Sequence, residues 1–121
     1  MMNYLIIAGG RDFTDYDQLV REVRLFIDQE NLLYDEITIL SGAANGADRL
    51  GEQFAKDHHI PVMLIPAQWN LYGKAAGPIR NAYMAKKATH CIIFCDGKSK
   101  SSKQMIKTAN YHNLVTQVIN Y

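Results

Sequence analysis

The sequence predicts an α/β fold: a Rossmann-like, doubly wound parallel sheet of about five strands with helices on both faces. Three observations point there. Five short apolar runs alternate with four helix-like segments along the chain. Most of those runs are continuous rather than alternating, as strands covered on both sides are. The connections are short, and a β-α-β-α-β-α-β-α-β order with right-handed crossovers builds a parallel sheet. At 121 residues, residues 1–121 suit a single domain, because two separate cores would be hard to bury at this length.

The expected strands are Tyr4–Ala8, Ile37–Leu40, Val62–Ile65, Cys91–Phe94 and Leu114–Ile119. The first helix should begin near Thr14 or Asp15, where Thr14-x-x-Asp17 resembles a capping box. It carries Leu19, Val20, Val23, Phe26 and Ile27 as its apolar stripe. The second helix has the clearest period, with Ala47, Leu50, Gly51, Phe54 and Ala55 on one face and His58–His59 at its carboxyl end. Pro61 then starts the third strand. A third helix should open at Gly77-Pro78, since proline is favoured in a first turn, and run to about Lys87. The fourth covers roughly Ser102 to His112 and buries Met105, Ile106 and Ala109.

Composition is that of an ordinary globular protein, 48% hydrophobic and 21% charged. With 13 basic and 12 acidic side chains the formal net charge is +1. A chain built to wrap nucleic acid usually carries a larger basic excess, so the balance argues against a nucleic-acid partner. Cys91 and Cys95 share one strand, roughly 13 Å apart. A disulfide needs Cα atoms within about 7 Å, so they read as buried, reduced thiols. Neither a CxxC nor an HExxH occurs and the four histidines are scattered, so no metal site or other cofactor is implied. The start, MMNYLIIAGGRD, has no basic region and too short an apolar run for a signal peptide. No stretch approaches the roughly 20 apolar residues of a membrane span. The expectation is a cytoplasmic protein with no membrane partner.

In doubly wound sheets, ligands bind beyond the carboxyl ends of the strands, at the switch in strand order. The loops there carry the candidate chemistry. After the first strand, Gly9 and Gly10 allow close backbone approach, and Arg11 adds a forked cation suited to phosphate or carboxylate. The second loop, Ser41-Gly42-Ala43-Ala44-Asn45-Gly46, leads directly into a helix whose free N–H groups can cradle an anion. It lacks the Gly-Lys-Ser/Thr of a P-loop. Asp48 either supports that helix start or accepts from a ribose hydroxyl. In the third loop, Trp69 could stack on a base or cover the sheet edge. Arg80 and Asn81 follow in the first turn of the third helix, where an arginine opposes the helix dipole unless it faces an anion. The fourth loop holds Asp96 and Gly97, then Ser101 and Ser102, which can cap the last helix and offer hydroxyls to phosphate. Lys100, Lys103 and Lys107 read as one solvated face.

These loops resemble the SLOG superfamily, which joins DprA-type DNA-processing proteins with LOG nucleotide phosphoribohydrolases. The similarity is greatest to its small, YspA-like bacterial and phage members. It spans nearly the whole chain, through GGRDF at 9–13, SGAANGAD at 41–48, PAQWNLYGKAAGPIRNAYM at 66–84 and DGKSKSSKQM at 96–105. The resemblance implies a Rossmannoid fold, a nucleotide or ADP-ribose-like ligand, and a homo-oligomer. By position it places Gly9, Gly10, Arg11, Ser41, Gly42, Gly46 and Asp48 in the first two loops, and Arg80 at the arginine of the LOG helix motif. The LOG signature Pro-Gly-Gly-x-Gly-Thr-x-x-Glu is altered: Ser101-Ser102 replaces Gly-Thr, and Met105 stands at the catalytic glutamate. Methionine cannot stabilise an oxocarbenium. Binding, as a sensor, carrier or sequestering protein, is therefore favoured over catalysis. The alternatives are nucleotide N-glycoside cleavage of LOG type, with Asp48 or Asp96 as substitute carboxylate, and DprA-like single-stranded DNA binding.

Overall fold

A computed structural model describes all residues from Met1 to Tyr121. Strands β1 (Asn3–Gly9), β2 (Ile37–Ser41), β3 (Val62–Leu64), β4 (His90–Cys95) and β5 (Val115–Asn120) form one sheet in the order β3-β2-β1-β4-β5. Every pairing is parallel; Leu5, for example, lies opposite Ile39 of β2 and His90 of β4. Between the strands run α1 (Tyr16–Gln29), α2 (Ala47–Asp57), the single turn α3 (Trp69–Tyr72), α4 (Ala76–Lys87) and α5 (Lys100–Tyr111). The chain builds outward from β1 to β3, then returns to lay β4 on the other side of β1. That reversal puts the topological switch between β1 and β4. The expected doubly wound fold is the observed one, and no helix is long and apolar enough to cross a membrane.

Side-chain alternation along the central strands divides the core in two. Leu5, Ile7, Ile37, Ile39, Ile92 and Phe94 face α1 and α2, packing on Leu19, Val23, Phe26 and Phe54. Ile6, Ala8, Leu40, Cys91, Ile93 and Cys95 face the other way, onto Met84 of α4 and Met105 and Ala109 of α5. Both cysteines are thus buried free thiols on one face of β4.

Three local expectations need correction. Asp15, not Thr14, caps α1, accepting from Gln18 N at 3.0 Å. Ser99, not Ser101 or Ser102, caps α5, accepting from Ser102 N at 3.3 Å. Each neighbour carries an equivalent oxygen, and only the backbone angles decide which one reaches. The third difference is at the sheet margins. Val62, Met63 and Leu64 are all exposed, because β3 is an edge strand whose apolar run no helix covers.

Candidate functional site

Gly9 ends β1 where its backbone and that of Phe94 of β4 come together; a Cβ there would overlap the Phe94 carbonyl. Just beyond, the first two loops clasp each other, with Ala47 N donating to Gly10 O at 3.1 Å. The first loop is braced from a distant part of the chain. The Tyr121 hydroxyl donates to Asp12 Oδ1 at 2.6 Å. Its ring packs 4.8 Å from that of Phe13, which stacks on Phe94.

Above these strand ends lies a cleft of about 290 Å³. Gly9 and Arg11 form one wall, Ala44 and Asp48 a second, and Trp69, Lys74, Arg80 and Asn81 a third. The start of α5 closes it with Lys100, Ser101, Ser102 and Gln104, over a floor that includes Met84 and Met105. An adjoining cavity of about 350 Å³ shares Arg11, Ala44, Trp69 and Arg80 and adds Gly42, Ala43 and Asn45. Four cations and one carboxylate therefore line the main cleft.

Asp48 is that carboxylate. It is 5% exposed, and its Oδ2 accepts from Ala44 N at 3.2 Å. Burial raises its pKa from 3.8 to about 6, and Glu52 pushes the same way. The Ala44 N–H and the Arg80 and Arg11 charges only partly offset that rise. Arg80 is not ion-paired with it. Its Nη1 donates to Gly42 O at 2.6 Å and its Nε to Asn81 Oδ1 at 2.8 Å, which leaves Nη2 without a protein partner. Burial lowers its pKa, against the opposing pull of Asp48. Asn81 passes the connection on, donating to Gln104 Oε1 at 2.6 Å, while Gln104 donates to Thr108 at 2.9 Å. A chain of side chains thus fixes the second loop, α4 and α5 relative to one another.

The mouth holds an aromatic. Trp69 is 49% exposed, and the Arg11 guanidinium sits 6.0 Å from its ring centre. On the opposite wall, Ser102 Oγ is the one buried side-chain polar atom of the protein with no hydrogen-bond partner. Its residue is 3% exposed and lines the cleft. A buried hydroxyl without a partner carries a desolvation cost, and such groups mark places where something else belongs.

Eight of the sequence-predicted residues meet on this cleft: Gly9, Arg11, Asp48, Trp69, Arg80, Asn81, Ser101 and Ser102. Gly42 and Ala43 line the adjoining cavity. Gly10, Ser41 and Gly46 lie behind it as supports. Ser41 donates to Glu52 Oε2 at 2.7 Å and accepts from Ala43 N at 3.0 Å, holding Ala43 at φ 61°. Asp96 and Gly97 fall outside. Asp96 Oδ1 accepts from Lys98 N at 2.8 Å and Ser99 N at 2.9 Å, bonds that hold its pKa below the ordinary carboxylate range. With Gly97 at φ 83° it shapes the turn into α5, so Asp48 alone remains as a carboxylate in the cleft. Sequence reasoning missed Lys74 and Gln104; Lys100 is exposed, as it was read, and also lines the cleft. The polarity of their segments was the available signal; Lys74 reaches the cleft from the single turn Gly73–Ala75 that joins α3 to α4.

Residues 4–72 match the model of the YspA, cpYpsA-related SLOG family, a segment running from β1 through α3. Among solved structures, DNA processing protein A (DprA) from Streptococcus pneumoniae superposes with a TM-score of 0.73 at 17% identity. The match covers 100% of this chain and 51% of that one, so the chain spans about half the length of that neighbour. A likeness at that identity is one of fold. No curated protein matches the chain.

Proposed function

The chain belongs to the YspA, cpYpsA-related SLOG family, and from that premise we propose that it binds a nucleotide or ADP-ribose-like ligand in the switch-point cleft. It acts as a single cytoplasmic domain that senses, carries or sequesters that ligand. The observation carrying this reading is the unpartnered Ser102 Oγ, buried in the wall of a cleft rich in cations. It sits in the first turn of α5, a 12-residue helix, where free N–H groups and the helix dipole favour an anion. A phosphate there meets Ser102 Oγ, Ser101 and Lys100. A base stacks on Trp69 beside Arg11, a ribose hydroxyl donates to Asp48, and Arg80 Nη2 takes a second anionic group.

Cleavage of the N-glycosidic bond is the second reading, favoured by one feature: burial pushes the cleft's carboxylate up to about 6, a range suited to proton transfer near neutrality. Against it, Met105 on the floor supplies no charge. Calorimetric titration with nucleosides, nucleoside mono- and diphosphates and ADP-ribose, followed by chromatography for free base, separates the two. Phosphorylated members should bind, nucleosides far more weakly, and no base should appear. Arg80→Ala should weaken the best ligand at least about tenfold, the cost of losing one charged hydrogen bond. Equal affinity for nucleoside and nucleotide, or tighter binding of a short single-stranded oligonucleotide, would contradict the proposal.

A further inference from the structure

The third loop is packed unlike the rest of the molecule. Residues 66–75 join β3 to α4, and neither α3 nor the turn Gly73–Ala75 buries a residue or carries a side-chain cap. Leu71 N and Tyr72 N both donate to Gln68 O at 3.0 Å, and Gly73 N donates to Trp69 O. These bonds hold the turn to itself and not to the sheet. The last tie to the sheet is Ile65 N on Ser41 O at 2.7 Å, and buried Ala76 anchors the far end. Between those anchors Leu71 is 67% exposed, with Trp69 and Tyr72 nearly half exposed.

Hollows lie on three sides of this segment. Trp69 and Lys74 border the ligand cleft, and Pro66 and Ala67 border the adjoining cavity. Gln68 and Tyr72 border a groove of about 460 Å³ between β3 and α4. An element with few buried contacts opens at low free energy. Gly73 supplies a pivot: its φ is 56°, and no atom lies within 4 Å of where a Cβ would project, so the backbone can turn there without collision. Both groups that the segment holds at the cleft are slackly engaged. The Arg11 guanidinium is 6.0 Å from the Trp69 ring centre, the outer limit of a cation–π contact. Lys74 has no ion-pair partner in the protein.

We propose that residues 66–75 are a lid that closes over the bound ligand, laying Trp69 on its base and bringing Lys74 onto its phosphates. The proposal rests on the nucleotide reading of the cleft and adds that one of its walls moves. Hydrogen exchange of the wild-type chain, followed by NMR with ADP-ribose as the probe, tests it. In the free protein the amides of Leu71 and Tyr72 should exchange well before those of Met84 and Ala85 in α4. With ADP-ribose at about 100 times its dissociation constant, measured by calorimetry, they should slow by up to roughly 100-fold, because the lid then opens only in the unliganded fraction. Leu71 lines none of the three hollows, so slowing at its amide reports movement of the segment and not cover by the ligand. Lys74→Ala should weaken ADP-ribose at least about tenfold and leave adenosine unaffected. Its side chain is exposed, so the melting temperature should not fall. If ADP-ribose does not bind, the nucleotide reading fails, and inorganic pyrophosphate replaces it as the probe of the lid; a cleft that takes neither overturns both. Leu71 and Tyr72 amides as protected as those of α4 in the free protein, exchange unchanged at saturation, or full affinity in Lys74→Ala overturns the lid.

Discussion

Gly46→Val should cost the protein more than about 3 kcal/mol of stability, a large share of what a small domain has. Gly46 looks in sequence like a cradle glycine, open to a ligand. In the fold its φ is 79°, a region that β-branched residues scarcely enter. A Cβ there would overlap the carbonyl of Gly10 and press on the backbone of Arg11. Those atoms belong to the first loop, which is pinned by Ala47 N on Gly10 O and by Tyr121 on Asp12. They cannot yield without opening the clasp between the two loops. Urea unfolding checks this: a midpoint shift equivalent to less than about 1 kcal/mol would mean that the loops separate freely.

Asp48→Asn should act in the opposite direction and stabilise the protein at pH 7, by roughly 2–3 kcal/mol. The folded-state pKa of Asp48 is raised from 3.8 to about 6, with burial the largest cause. Below the unfolded value both states hold the proton. Between the two values the folded state alone holds it, so stability falls as pH rises from about 4 through 6 and the loss is complete above that. Asparagine keeps an oxygen for Ala44 N and carries no charge to bury. The variant should therefore lose the decline that the wild type shows across that window. A variant less stable than wild type at pH 7, with the decline unchanged, would show that the Arg80 and Arg11 charges outweigh burial. A buried carboxylate that costs stability is characteristic of a site kept for binding or chemistry.

The central strands were legible because burial on both faces leaves continuous apolar runs, as in Leu5–Ala8 and Cys91–Phe94. Val62–Leu64 carries the same signature and ends up exposed, since strand order depends on which crossover reverses and no residue in the run records that. The single turn α3 was illegible for a different reason. A helix so short is not stable alone, and it forms only where the loop folds against α4. The strand-end rule located the site, and resemblance ordered its loops. Neither separated residues that touch the cleft from those that shape it. Ser41 and Asp96 spend their oxygens on loop backbone, and Tyr121 braces a loop 109 positions away in sequence. Long-range hydrogen bonds of this kind have no local sequence period.

Ser102→Ala tests the central claim most directly, because binding and folding predict opposite outcomes for it. Ser102 Oγ has no protein partner, so removing it discards a buried, unsatisfied hydroxyl and should leave stability unchanged or raise it by up to about 1 kcal/mol. If that hydroxyl awaits a phosphate, the same substitution should weaken the best-binding nucleotide about tenfold. The corresponding nucleoside should be unaffected. Thermal unfolding and calorimetric titration on one preparation measure both. Stability kept or raised together with a phosphate-dependent loss of affinity is the predicted result; unchanged nucleotide affinity in a fully folded variant would contradict the account.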